Sequence, residues 1–89
     1  LPGGPFLASD RAGSLVTVVF MAPLKTLNES HKYVDIGTKT LRALGITRID
    51  HVNLIPSGPH PGVSEPHYHI ELVLVSVDQE RKVLEGEPY

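Results

Sequence analysis

The most regular alternation of apolar and polar positions runs over residues 65–78, where the sequence reads Glu-Pro-His-Tyr-His-Ile-Glu-Leu-Val-Leu-Val-Ser-Val-Asp. Because successive side chains in a strand point to opposite faces, this pattern predicts a β-strand over residues 66–78. The face expected to pack on a core carries Tyr68, Ile70, Leu72 and Leu74. The opposite face carries the polar side chains of the segment, His67, His69 and Glu71.

Two further elements precede that strand. Residues 15–22 are a β-branched run that is apolar at nearly every position, which predicts a central strand covered on both faces and ended by Pro23. Residues 28–44 carry apolar side chains at helical spacing, namely Tyr33, Val34, Leu41 and Leu44. This spacing predicts the principal helix, with Gly45 as its stop.

The remaining segments complete the predicted domain. Residues 46–55 predict a less regular strand, and the proline-rich loop over residues 56–66 joins it to the histidine strand as a hairpin. The order strand, helix, strand, strand over residues 15–78 predicts an α+β domain, a small, mainly antiparallel sheet with one principal helix on one face. Residues 1–14 are expected to be an extended arm, and the charged residues 79–89 a tail or a short extra strand.

Composition narrows the classes of function. An apolar fraction of 40% in 89 residues favours one small globular domain. The absence of cysteine excludes disulfides, iron–sulfur clusters and thiolate zinc sites. A net charge of -2 argues against a dedicated nucleic-acid binder, and no apolar run approaches the roughly 20 residues that cross a bilayer. The chain begins with Leu1 rather than Met, which favours a processed or partial chain.

The polar face of the histidine strand is the main candidate for chemistry. Two imidazoles at alternate positions can both bind a metal, or one can bind it while the other acts as a base. Glu71 extends this row as a ligand, a hydrogen-bond partner of His69 or a surface charge. The plain alternative is an exposed polar strand face without a site. His60 in the preceding loop is placed to reach the same face, and His51 is assigned no role.

Residues 16–27 and 57–72 resemble the C-terminal half of the LAS-type zinc peptidases, the D-Ala-D-Ala and murein endopeptidase group that cuts peptidoglycan stem peptides. The resemblance lies in a His-X-His strand that follows a strand and a helix. It implies that His69 binds zinc and that His67 is the catalytic histidine, while the zinc polarises the scissile carbonyl. We group Glu71 with His67 as a catalytic candidate. The resemblance therefore implies a zinc-dependent hydrolase acting on a peptide or on peptidoglycan.

His31 and Asp35 would supply the remaining zinc ligands that the resemblance implies. They stand four residues apart on the predicted helix and therefore share one of its faces, which is a workable ligand spacing. Their segment has Tyr33 where lysostaphin-like peptidases have glycine. A solvated pair on the polar face of an amphipathic helix is the alternative interpretation.

Two other functions stay open. Residues 65–74 are also similar to the His-hydrophobic-His strand of rolling-circle replication and relaxase nucleases, in which both histidines hold a divalent metal and a tyrosine attacks single-stranded DNA. Only Tyr89 follows the strand here, and the acidic net charge is unfavourable for DNA. The other possibility is a non-catalytic subunit of a larger assembly, in which protein partners order the arm and the tail and the histidines are interface or plain surface.

Overall fold

The computed structural model of the chain describes residues 3–28, 30–59 and 64–86. Its elements are β1 (Gly3–Ser9), β2 (Leu15–Pro23), α1 (Thr38–Ala43), β3 (His51–Ser57), β4 (His67–Val73) and α2 (Val77–Gly86), with a short 3₁₀ turn at Leu24–Thr26. The strands form an antiparallel sheet in the order β1-β2-β4-β3, which leaves β1 and β3 at its edges. The predicted α+β fold and the hairpin of the last two strands are confirmed.

The strand register divides the side chains between two faces of the sheet. One face, which we call the histidine face, carries Thr17, Val19, Met21, His51, Asn53, Ile55, His67, His69 and Glu71. The other, which we call the helix face, carries Val18, Phe20, Val52, Leu54, Ile70 and Leu72. The division of β4 into an apolar and a polar face is the one that its alternation predicts.

The hydrophobic core lies on the helix face. Val18, Phe20 and Leu72 are buried there, and the side chains packed against them include Ile36, Leu41 and Ile46. This packing requires glycine at position 37, because a Cβ there would lie 2.5 Å from Cδ1 of Leu72 and 3.4 Å from Cε2 of Phe20. The segment that leads into α1 therefore runs directly over the helix face of the sheet.

The prediction of a helix over residues 28–44 is wrong in its first half, since α1 begins only at Thr38. The preceding residues form turns, and the side chain of Asn28 accepts a hydrogen bond from the backbone N–H of Ser30 at 2.9 Å. Asp35 and Gly37 have φ angles of 52° and 86°, which a right-handed helix does not contain.

The predicted stop at Gly45 is confirmed. The residue has a φ angle of 69°. Its N–H donates to the carbonyl of Arg42 at 3.1 Å, and the N–H of Ile46 donates to the carbonyl of Leu41 at 2.9 Å. This pair of hydrogen bonds is a Schellman motif, which ends a helix on a left-handed residue.

The two ends of the chain differ from their predicted structures. Residues 3–9 of the expected arm form β1, which pairs with β2. The histidine strand ends at Val73, and α2 occupies residues that were expected to be strand and tail. Ser76 begins this helix, since its hydroxyl accepts a hydrogen bond from the N–H of Gln79 at 3.2 Å. No helix in the described residues is long and apolar enough to cross a membrane.

Candidate functional site

His67 and His69 lie side by side on the histidine face. Their Nε2 atoms are 3.0 Å apart, and their ring centroids are separated by 4.9 Å. Nδ1 of His67 lies 2.8 Å from the carbonyl oxygen of Glu65. Because a carbonyl only accepts, this nitrogen carries a proton and donates it to Glu65. In neutral His67 the lone pair is therefore on Nε2, where it accepts a hydrogen bond from the Nε2–H of His69.

The local structure buries this pair more deeply than an exposed strand face would. His67 retains only 3% of its exposure, although His69 is half-buried. The 3₁₀ turn at residues 24–26 contacts β4, and the N–H of Leu24 donates to the carbonyl of Pro66 at 3.0 Å. β2 ends at Pro23, directly opposite His67, so the turn that follows Pro23 lies at the same end of the sheet as His67.

A second polar group lies further along the same face and joins the sheet to α2. We call this group the Glu80 network; its members are Asp50, His51, Asn53, Glu71 and Glu80. The amide nitrogen of Asn53 donates to Glu71 at 3.3 Å and to Glu80 at 3.2 Å. Nε2 of His51 lies 2.8 Å from the second oxygen of Glu80, and Nδ1 lies 2.7 Å from Asp50. Among the described residues, every buried side-chain nitrogen or oxygen has a hydrogen-bond partner.

Burial and charge shift the protonation of two groups in the Glu80 network. Burial is the main cause that raises the pKa of Glu71, and the nearby Glu80 adds to it, whereas the hydrogen bond from Asn53 opposes it. Hydrogen bonds to Asp50 and Glu80 raise the pKa of His51, because both ring nitrogens face carboxylates and the imidazolium can donate to each. The network therefore favours a protonated His51.

His31 and Asp35 are not assembled with the β4 histidines by this fold. Both are exposed, and the turn that contains Asp35 leads into Gly37 over the helix face, on the opposite side of the sheet from His69. Asp35 lines a surface cavity of about 430 Å³ with Thr38, Lys39 and Arg42 of α1. Within residues 3–28, 30–59 and 64–86, no three His, Cys, Asp or Glu side chains are grouped so that they could hold a metal. His60 and Tyr89 lie outside the described residues.

The sequence predicted His67, His69 and Glu71 on one face and missed the partners that hold Glu71. Asn53 and His51 lie on β3, directly opposite Glu71 and Val73 of β4. Glu80 contacts both β3 residues from α2. One sequence signal indicates α2. Ser76 and Gln79 form the Ser-X-X-Gln pattern of a helix start, which places Glu80 in the first turn.

Comparison with known proteins gives a match among solved structures. No protein-family model matches the chain, and no curated protein matches it. Among solved structures, the crystal structure of hypothetical protein TTHB210 from Thermus thermophilus is 92% identical, with a TM-score of 0.82. The match covers 97% of this chain and 79% of that chain. The chain belongs to the same family as that protein. Because the relative is itself described as hypothetical, the relationship bears on fold and not on activity.

Proposed function

We propose that this chain is a non-catalytic interaction subunit that associates with further copies of itself through the outer strands of its sheet. The observation that carries the proposal is the exposure of large apolar side chains on both edge strands. They are Phe6 at 49%, Leu7 at 54%, Val52 at 57%, Leu54 at 63% and Ile55 at 44%. Apolar side chains concentrated on unpaired sheet edges favour association with another chain.

The balance between core and surface supports the same function. The buried hydrophobic residues are mostly small, with four valines and one alanine beside Phe20 and Leu72. A chain of 89 residues has a limited core, and contacts with neighbouring copies would add the apolar burial that it lacks.

The strand order supports copies of the same chain as the partner. β1 and β3 are the two ends of one sheet, and each carries exposed apolar residues. Pairing the β3 edge of one copy with the β1 edge of the next would extend the sheet and satisfy the backbone groups of both edges. Such head-to-tail contacts use two different surfaces of each copy and generate a ring or a filament.

The direct test is a comparison of two lysine variants with the parent chain. Leu54→Lys places a charge on the β3 edge and is expected to give single chains in light scattering, because edge lysines oppose strand pairing. Val34→Lys is the matched control, since Val34 is 74% exposed but lies in the turn segment between β2 and α1. It should leave the molar mass unchanged. An unaltered mass for Leu54→Lys would contradict association through β3.

The second candidate is the zinc-dependent hydrolase, and it is favoured by the 3.0 Å distance between the two Nε2 atoms. In this proposal His69 binds zinc, and His67 assists catalysis. Catalytic zinc takes three protein ligands and a water, so the ligand set would need residues beyond the described ones. Glu71, the other catalytic candidate, accepts a hydrogen bond from Asn53 within the Glu80 network.

Zinc calorimetry tests this second candidate. His69→Ala is expected to remove zinc binding, whereas His31→Ala should retain it because that residue lies in an exposed turn. Release of peptides from peptidoglycan by the zinc-loaded parent chain would then establish hydrolysis. Zinc affinity that survives His69→Ala would eliminate the candidate.

A further inference from the structure

We propose that Met21, His67 and His69 form a binding site for monovalent copper on the histidine face. The inference does not depend on the association of copies proposed above. It shares the histidine pair with the zinc candidate and differs from it in the third ligand and in the metal.

The first support is the separation of the two imidazole nitrogens. The Nε2 atoms of His67 and His69 are hydrogen-bonded to each other at 3.0 Å. Two nitrogens that each lie about 2.0 Å from one metal are about 3.5 Å apart at the 120° angle of a three-coordinate site. The two rings would therefore separate by about 0.5 Å as an ion replaces the proton between them.

The second support is the orientation of His67. Its Nδ1–H donates to the carbonyl of Glu65 at 2.8 Å, which fixes the ring and leaves Nε2 as the ligand atom. Metal-binding histidines almost always have such a partner on their other nitrogen. The burial of His67, at 3% exposure, limits the rotation of the ring away from this position.

The third support is the position of Met21. The β2–β4 register places Met21 directly opposite His69. Directly opposed residues project from the same face, with Cβ atoms about 4.5–5.5 Å apart, so the flexible thioether side chain can reach the nitrogens. Both Met21 and His69 are half-buried, which leaves the site open to an ion from solvent.

The chemistry of these three ligands selects the ion. A thioether is a soft ligand that favours monovalent copper, and imidazole binds copper as readily as zinc. The chain contains no cysteine, so this Met and His set is its means of presenting a soft site. Two imidazoles and a thioether form a three-coordinate set of ligands.

The test is an anaerobic competition for monovalent copper between the full chain and the chromophoric chelator bicinchoninate. The parent chain is expected to withdraw one copper per chain from the chelator. Met21→Leu conserves volume and removes only the sulfur, and it should weaken copper binding by at least about tenfold, the lower range for losing a group that supports a metal site. Its zinc affinity and its unfolding midpoint should match those of the parent.

Two further variants define the site. His69→Gln is expected to lose copper, whereas His31→Ala, in the exposed turn, should retain it. X-ray absorption of the loaded parent should show a sulfur neighbour of copper that is missing from Met21→Leu. Equal copper affinity of Met21→Leu and the parent, or no withdrawal of copper by the parent, would overturn the proposal. Zinc binding that persists in either case would leave the zinc candidate standing by itself.

Discussion

His51 links the protonation of one side chain to the stability of the fold. Its two ring nitrogens lie 2.7 Å from Asp50 and 2.8 Å from Glu80, and it ties β3 to α2. The raised pKa of His51 means that the folded state binds its proton more tightly than the unfolded chain does. The resulting stability is fully present below the unfolded value of about 6.5 and is lost as pH rises through the higher folded value.

We therefore expect the free energy of unfolding to fall as pH rises above about 6.5, and His51→Gln to flatten that fall. The raised pKa of Glu71 acts in the same direction but begins from its lower ordinary value. Urea unfolding at several pH values from mildly acidic to mildly basic would measure the effect. His31→Gln is the control, because the exposed turn residue should leave the fall intact. A parent chain whose stability does not fall over this range would contradict the account.

At the scale of residues, the sequence predicts neighbours along one strand and not partners between elements. His67 and His69 share a face because alternation in a strand requires it. The hydrogen bonds of Glu71 and Glu80 depend on the register of β3 and on the position of α2, which no local pattern contains. The predicted common face of His31 and Asp35 required a helix through both residues, and that helix does not form.

Left-handed residues decide where the helical segments begin and end. Gly37 and Gly45 flank α1 with φ angles of 86° and 69°. Gly45 is predictable as the stop because glycine after an apolar helical run is a strong stop signal. Asp35 and Gly37 fall inside the predicted helix because the apolar spacing across them fits a helix. The turn that replaces it depends on the packing of Gly37 against Leu72, which is distant in sequence.

Alanine substitutions of the two glycines distinguish the cost of steric contact from the cost of backbone strain. Gly37→Ala is expected to lower the free energy of unfolding by about 1–3 kcal/mol because of its left-handed φ. The clash of the added methyl group with Leu72 should lower it further. Gly45→Ala has a similar φ but nothing within 4 Å of the added methyl group, so it should cost roughly 1–2 kcal/mol. Urea unfolding of both variants measures the difference. Equal losses would show that Leu72 moves aside without cost.

The order of the strands in the sheet is the feature of the whole molecule that sequence patterns predict least well. Composition, strand periodicity and the hairpin loop are sufficient for an α+β domain with an antiparallel sheet. Residues of the predicted arm form β1 because they pair with β2. β4 is the last strand in sequence, yet it lies between β2 and β3 in the sheet. These long-range pairings place Met21 beside His69 and put apolar residues at both edges of the sheet.

The exposed edges connect the fold to the proposed function. A monomer with this structure would present Val52 and Leu54 to solvent on β3 and Phe6 and Leu7 on β1. Copies that pair through these edges would bury them and continue the sheet from one chain to the next. Metal binding at His67 and His69 is compatible with this arrangement, since the histidines lie on the central strand β4.

The most direct test of the central claim is the molar mass of the parent chain in sedimentation equilibrium over a range of concentrations. Association through the outer strands predicts a mass that is a multiple of 9.7 kDa and that decreases on dilution. A mass of one chain at every concentration would contradict the interaction-subunit proposal.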